Sequence, residues 1–197
     1  MIQFGTGGWR AIIGDGFTKA NVSMLSQAIA DEMRANAGDK IVIGYDRRFL
    51  SDIAAKWAAE VFAANGIKVY FIYEAAPTPM IMHGVKTLGA KFGLSVTASH
   101  NPAEYNGIKV FTEGGRDASE AVTDILETRI KEGVLVKSME FEKAVSEGLI
   151  EDFDIANDYI DSILSMIDVK AIKKRHMRVL LDPMFGVAKT SLQQILM

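Results

Sequence analysis

The chain has 197 residues, 49% hydrophobic and 24% charged, with 22 Lys plus Arg against 25 Asp plus Glu and a formal net charge of −3. That composition supports a packed core, excludes a disordered chain, and gives no electrostatic case for nucleic acid or an anionic membrane as partner. The chain contains no cysteine, which removes a disulfide framework and a thiolate metal site.

Met1-Ile2-Gln3-Phe4 does not open a signal peptide, and no run reaches the about 18 apolar residues of a membrane span. The expectation is a soluble, cytoplasmic α/β protein. Phe4 to Gly16 is glycine-rich and reads as a loop with room for a short hairpin. Val22, Leu25, Ile29 and Met33 recur at helical spacing, in a helix ending near Gly38. Lys40–Tyr45 is β-branched and apolar, a buried strand. Ser51 is a candidate cap for a helix burying Ile53, Trp57, Val61 and Phe62, with Gly66 past its end.

Ile67–Tyr73 reads as a second strand, and Pro77-Thr78-Pro79 precedes a helix through Val85 and Leu88. Phe92–Val96 is a third strand and Ile108–Phe111 a fourth, followed by a Gly114-Gly115 turn. A helix from Ser119 to Lys131 carries Val122, Ile125, Leu126 and Ile130 as its buried stripe. Glu140–Phe153 is acidic and weakly patterned, so a domain boundary is set there: 1–150 as a first domain, 151–197 as the start of a second. A helix through Tyr159, Ile160, Ile163, Leu164 and Ile167 precedes a last strand, Met177–Leu181. A helical pattern from Val187 then runs to Met197 without a stop signal. A chain that stops inside a helix reads as a fragment of a longer protein.

Strands separated by helices imply βαβ units: a mostly parallel mixed sheet with helices on both faces, plus the opening of a second, similar α/β domain. Ligands of such sheets bind at the carboxyl ends of the strands. Tyr45-Asp46-Arg47-Arg48, Pro77-Thr78-Pro79 and Thr97-Ala98-Ser99-His100-Asn101-Pro102 follow the first three strands.

Read alone, Ser-His-Asn-Pro is an ordinary polar turn, because a nucleophile and its base must meet in space. No Gly-x-Ser-x-Gly elbow surrounds Ser99, which disfavours a hydrolase triad, and no Walker A or Gly-x-Gly-x-x-Gly sequence occurs. A phosphoryl carrier fits better. A phosphoserine bears about −1.5 to −2 charge, and Arg10, Arg47 or Arg48, and Lys109 lie in segments expected to converge on it. The amides of Gly5-Thr6-Gly7-Gly8 could also hold phosphate.

Phe4-Gly5-Thr6-Gly7-Gly8-Trp9-Arg10, Gly44-Tyr45-Asp46-Arg47-Arg48, Pro77-Thr78-Pro79, and the serine loop followed by Asn106-Gly107-Ile108-Lys109 together resemble the α-D-phosphohexomutase superfamily. That superfamily includes phosphoglucomutases, phosphomannomutases and phosphoglucosamine mutases. Leu180 to Val187 resembles the first strand and turn of the family's second domain. Gly7-Gly8-Trp9-Arg10-Ala11 departs from the commoner Gly-Ser/Thr-Gly-x-Arg-Gly form. The family's Asp-Gly-Asp-x-Asp-Arg metal loop, its sugar loop and its distal phosphate loop do not occur.

The resemblance implies an isomerase that interconverts hexose 1-phosphate and hexose 6-phosphate through a phosphoserine and a bisphosphorylated sugar. It implies Ser99 as carrier, Lys109 and Arg10 beside it, and His100 as proton-transfer or loop-holding residue. Thr6, Gly7, Gly8, Asp46, Arg48 and Asn101 are implied as phosphate-binding or loop-ordering residues. Mg²⁺ is expected on the phosphate of Ser99 with aspartates from elsewhere, a hexose bisphosphate as activator, and the remaining domains of a parent chain as partners. The fragment alone is expected to be inactive. The competing expectation is a catalytically silent sugar-phosphate-binding protein of the same fold.

Overall fold

The computed structural model describes residues 2–5 and 8–197. Strands β1 (Phe4–Gly5), β2 (Gly8–Ile12), β3 (Lys40–Tyr45), β4 (Lys68–Phe71), β5 (Phe92–Val96), β6 (Tyr105–Thr112), β7 (Arg116–Asp117) and β8 (Ile150–Asp152) form one sheet. Its order is β1-β2-β6-β5-β3-β4-β8, with β7 paired to β6. The mixed α/β sheet agrees with expectation, but its balance differs. Parallel pairing is confined to β5, β3, β4 and β8. The glycine-rich N-terminal segment forms a hairpin of β1 and β2, and β2 adds antiparallel to β6.

Helix α1 (Lys19–Ala35) starts at Thr18, whose hydroxyl accepts from the Asn21 amide at 3.3 Å, and buries Val22, Leu25, Ile29 and Met33. Helix α2 (Ser51–Ala64) departs from the expected capping. Its cap position is Leu50, at φ 64, and Ser51 is already helical. The Ser51 hydroxyl is spent on Asp46 at 2.8 Å. Its buried face is Ala54, Ala55, Ala58, Ala59, Val61 and Phe62. The expected Ile53 is 43% exposed and Trp57 only half-buried, because alanines let α2 lie close against α1 and the sheet.

Helix α3 (Thr78–Leu88) begins on Pro77, ends on Gly89 at φ 60, and covers the opposite face with Ile81 and Val85. Each fully buried aliphatic side chain contributes about 1.5–3 kcal/mol. The approach is close enough to require glycine beneath it: a Cβ on Gly93 would stand 2.2 Å from Val85 Cγ2. Helix α4 (Glu120–Glu132) buries Thr123 and Leu126, whereas Ile125, expected inside, is 43% exposed.

Glu140–Phe153 is packed structure and no linker. Helix α5 (Phe141–Ser146) buries Phe141 and Ala144 in the main core, and β8 extends the sheet to Asp152, two residues past the expected boundary. Beyond it, helices α6 (Ala156–Ser165), α7 (Val169–Lys173) and α8 (Ala188–Leu196) follow, with α6 on α3 and α8 on α6. The strand expected over Met177–Leu181 is not formed, and Leu180 is 95% exposed. A strand exists through its ladder to a neighbour, and none of the described strands pairs with this segment.

From β3 the chain moves through α2 to β4 on one side, then returns through α3 to β5 on the other. The carboxyl ends of β3 and β5 therefore flank a topological switch point, where open α/β sheets form their binding crevice.

Candidate active site

The loops after β3 and β5 meet at that crevice and lock to each other. The Asp46 amide donates to Val96 O at 3.1 Å. Asp46 Oδ1 accepts from the Arg48 amide at 2.9 Å and the Ser51 hydroxyl at 2.8 Å, while Oδ2 accepts from the Thr97 hydroxyl at 2.6 Å. Arg48 Nε lies 3.7 Å from the same Oδ2. Its two terminal nitrogens donate to four backbone carbonyls of the serine loop: Ser99 at 2.9 Å, Pro102 at 2.9 Å, Tyr105 at 3.0 Å, and Asn101.

Ser99 is held in the left-handed region at φ 56. That conformation costs an ordinary residue about 1–2 kcal/mol, so the surroundings must over-determine it. They do: the Ser99 amide donates to Thr97 Oγ1 at 2.9 Å, and Arg48 grips the carbonyl on the other side. Ser99 and His100 are exposed, and Ser99 Oγ lies 3.2 Å from His100 Nδ1.

Asn106, fully buried on β6, completes the lock from below. Its side-chain amide donates to Phe49 O and Ser51 Oγ, both at 3.0 Å, and its oxygen accepts from the Gly107 amide at 2.8 Å. Gly107 cannot carry a side chain, since a Cβ there would stand 2.3 Å from Trp9 O and 3.0 Å from Thr97 O.

Ser99, Asp46, Arg47, Arg48, Phe49 and Asn101 line one open cleft of about 570 Å³, with Met184 to Val187 also on its wall. Small-molecule sites run about 300–1,000 Å³. Arg10 and Lys109 share one face of the sheet, as Arg10 is opposite Gly107, and Lys109, two residues on, is opposite Gly8 and Ser95. Neither side chain is hydrogen-bonded to Ser99 among the described residues. Arg10 lines a neighbouring recess with its Nε buried and without a partner among the described residues, and Lys109 Nζ is 3.0 Å from Asp117 Oδ1. Thr6 and Gly7 lie outside the described residues. Pro77-Thr78-Pro79 opens α3 and adjoins the crevice through the Ala76 amide, which donates to Tyr45 O at 2.8 Å.

Burial, then Asp52 and Glu74, push the Tyr45 phenol above its usual value, and its hydroxyl donates to Tyr73 O at the flank of the site. Among the described residues no group of three or more His, Asp or Glu could hold a metal ion, and both Asp46 oxygens are already engaged. The described residues therefore supply no ready-made carboxylate cluster for Mg²⁺ beside Ser99. No described helix is long and apolar enough to cross a membrane.

Sequence reasoning gave no site role to Phe49 or to Asn106 and read Ser51 only as a helix cap. Phe49 had only its place after the arginine pair as a signal, and the ties of Ser51 and Asn106 exist only between elements distant in sequence.

Residues 1–137 match the family model described as phosphoglucomutase/phosphomannomutase, alpha/beta/alpha domain I. The phosphoglucosamine/phosphogalactosamine mutase of Sulfurisphaera tokodaii is 35% identical over 192 residues, covering 95% of this chain and 40% of that protein. The phosphoglucomutase of Komagataeibacter xylinus is 32% identical, covering 99% of this chain and 38% of its own length. A crystal structure of a phosphoglucomutase/phosphomannomutase family protein from Burkholderia thailandensis shares the fold, with a TM-score of 0.79 at 24% identity over 99% of this chain and 42% of that one. The chain thus spans about two fifths of the length of these relatives.

Proposed function

The chain belongs to the phosphoglucomutase/phosphomannomutase family, and on that premise we propose that it is the phosphoryl-carrying part of a sugar-phosphate mutase, with Ser99 as the carrier. The observation that carries the proposal is the serine itself, fixed at φ 56 at the sheet's switch point by four carbonyl contacts from Arg48.

In the proposed reaction, a free hydroxyl of a hexose 1- or 6-phosphate attacks the phosphorus on Ser99. The new O–P bond forms as the Oγ–P bond breaks, the hydroxyl proton leaves to a base, and Ser99 Oγ takes up a proton. His100 Nδ1, 3.2 Å from Oγ, is placed to supply that proton. The bisphosphorylated sugar turns, and its other phosphate returns to Ser99 by the reverse steps. Uncatalysed phosphate-monoester cleavage demands enhancements up to about 10²¹, most of it from positioning and neutralised charge. The rigid loop supplies position. Lys109, by leaving Asp117, and Arg10, whose Nε has no partner among the described residues, are the proposed charge stabilisers.

A Mg²⁺ requirement and activation by a hexose bisphosphate belong to the proposal for the longer protein; no step is assigned to the metal. Net turnover is likewise proposed to need more than these 197 residues, because the described ones lack a metal-binding cluster and the relatives are longer.

The test is transfer from radiolabelled glucose 1,6-bisphosphate to the full-length protein carrying this chain. Label is expected on the Ser99 peptide and to be absent in Ser99→Ala with an unchanged melting temperature. Label on another residue, or substantial mutase activity in Ser99→Ala, overturns the assignment.

A further inference from the structure

We propose that Asp117 is a built-in competitor for Lys109, drawing its ammonium away from Ser99 and so setting how much of that charge reaches the transferring phosphate. This rests on the reading of Ser99 as phosphoryl carrier and of Lys109 as its charge stabiliser. Strand β6 runs antiparallel to β5, with Ser95 opposite Lys109, Leu94 opposite Val110 and Gly93 opposite Phe111. Strand β7 then places Asp117 opposite Phe111. Asp117 is therefore level with Gly93, towards the amino end of β5, whereas Ser99 lies past its carboxyl end. Residues opposite one another or two apart share a face of a sheet, so Lys109, Phe111 and Asp117 form one row. The Lys109 ammonium follows it: Nζ is 3.0 Å from Asp117 Oδ1 and 5.9 Å from the centre of the Phe111 ring. The ion pair thus points the charge away from the serine loop.

The hairpin that carries Asp117 is fixed in place. Gly115, at φ 70, packs so closely on α3 that a Cβ there would stand 2.1 Å from Met82 O. Just past the ladder, the Ala118 amide donates to Val110 O at 2.9 Å. The lysine stem lies over Gly8, which presents no side chain to it; a Cβ there would stand 3.3 Å from Lys109 Cγ. The carboxylate is the fixed partner, and the flexible four-carbon stem of the lysine is the part that moves.

Ser95 gives the released ammonium an acceptor on the side of the serine loop. It is fully buried and its hydroxyl has no partner among the described residues, whereas buried hydroxyls are as a rule hydrogen-bonded. It stands directly across the ladder from Lys109, between that lysine and Gly44. An ammonium has three donors, so Ser95 and a phosphate oxygen on Ser99 can be served together, while Asp117 lies in the opposite direction. A phosphate of about −1.5 to −2 charge outweighs one carboxylate whose side chain is 51% exposed. The pair therefore slows transfer without blocking it.

The experiment is single-turnover transfer from radiolabelled glucose 1,6-bisphosphate to Ser99 in the full-length protein carrying this chain, with thermal unfolding confirming that each variant is folded. Asp117→Asn should be labelled about two- to fivefold faster than wild type, the worth of a partly exposed ion pair. Its ratio of phosphoserine to serine at equilibrium should rise by a similar factor, and Asp117→Ala should match it. Asp117→Glu, which restores the carboxylate, should return both readouts to near wild type. Glu113→Gln removes a carboxylate from the same hairpin, but one paired with Lys91 at 2.9 Å, and should change neither. Labelling no faster than wild type in folded Asp117→Asn and Asp117→Ala, or an equal acceleration in Glu113→Gln, overturns the proposal and leaves the carrier reading intact. Wild-type protein that takes no label on Ser99 sinks the carrier reading, and the competition with it.

Discussion

Replacing Arg48 by alanine tests whether the serine loop is held in place or merely rests there. The guanidinium makes four hydrogen bonds to loop carbonyls, of which those to Asn101 and Tyr105 are partly buried and those to Ser99 and Pro102 exposed. Water can replace the arginine at the exposed pair, so each is worth only about 0.5 kcal/mol, at the low end of the usual range. The partly buried pair is harder to rehydrate and contributes about 1–1.5 kcal/mol each. The sum is about 3–4 kcal/mol, and at about 2–4 °C per kcal/mol for a chain of this size the melting temperature falls by about 6–16 °C. Once released by Arg48, Ser99 is held at φ 56 by the hydrogen bond from its amide to Thr97 Oγ1 alone, against the about 1–2 kcal/mol that relaxing recovers. A displacement of about 1 Å is enough to cost about 100-fold in transfer rate. Thermal unfolding and the rate of Ser99 labelling read the two effects separately. Arg48→Lys should restore little of either, because one ammonium cannot span four carbonyls. A melting temperature within about 1 °C of wild type, with undiminished labelling, would refute the reasoning.

Gly107→Ala should cost at least about 2–3 kcal/mol by overpacking, because its Cβ would meet the Trp9 carbonyl at 2.3 Å with backbone on both sides; urea unfolding reads it, and a midpoint like wild type would contradict the geometry. Burial holds the phenols of Tyr45, Tyr73 and Tyr159 above their usual value. Each binds its proton more tightly folded than unfolded, so this stability is complete below about pH 10 and is lost as pH rises through the raised values. Unfolding free energy should fall above about pH 10, less steeply in Tyr45→Phe, and identical slopes would remove Tyr45 from the account. The 197-residue chain alone should show no conversion of glucose 1-phosphate to glucose 6-phosphate in a coupled assay, and Ser99-dependent turnover by it would overturn that expectation.

The strands and helices of residues 19–132 were legible because each has a period and a stop. Strand β5 matches Phe92–Val96 to the residue, and α3 lies between Pro77 and Gly89 as proline and glycine demand. What was not legible depends on partners. Ile53 and Ile125 fit a helical stripe, yet they face water because alanine, and elsewhere Thr123, occupy the contact. Val179 and Leu180 have strand propensity but no ladder. The acidic run before Phe153 read as a domain boundary because Phe141, Ala144 and Ile150 are too sparse to make a period, although all three are in the core. At the candidate site, the meeting of the Asp46 and Ser99 loops was readable from their places after β3 and β5, but the use of Arg48 to tie them was not. Arg48 is decided by carbonyls 51 to 57 residues further along the chain.

The contacts that fix the serine loop have one chemical trait in common. Arg48 holds carbonyls, Asp46 takes an amide and hydroxyls, and Asn106 takes a carbonyl, a hydroxyl and an amide. All of these are within the protein and none is a group that could read a sugar. A carrier loop built in this way is the same whichever sugar phosphate is presented, which suits a domain found in relatives named for glucosamine and for glucose phosphates alike. Discrimination between sugar phosphates is then left to groups outside these ties, in keeping with a chain in which the family's sugar loop and distal phosphate loop do not occur. Within the described cleft the ring of Phe49 is exposed and takes no part in these ties, so it can be changed without disturbing the loop that Arg48 holds. A Phe49 substitution that altered the ratio of activities between two sugar phosphates while Ser99 labelling stayed constant would separate reading from carrying in a single protein.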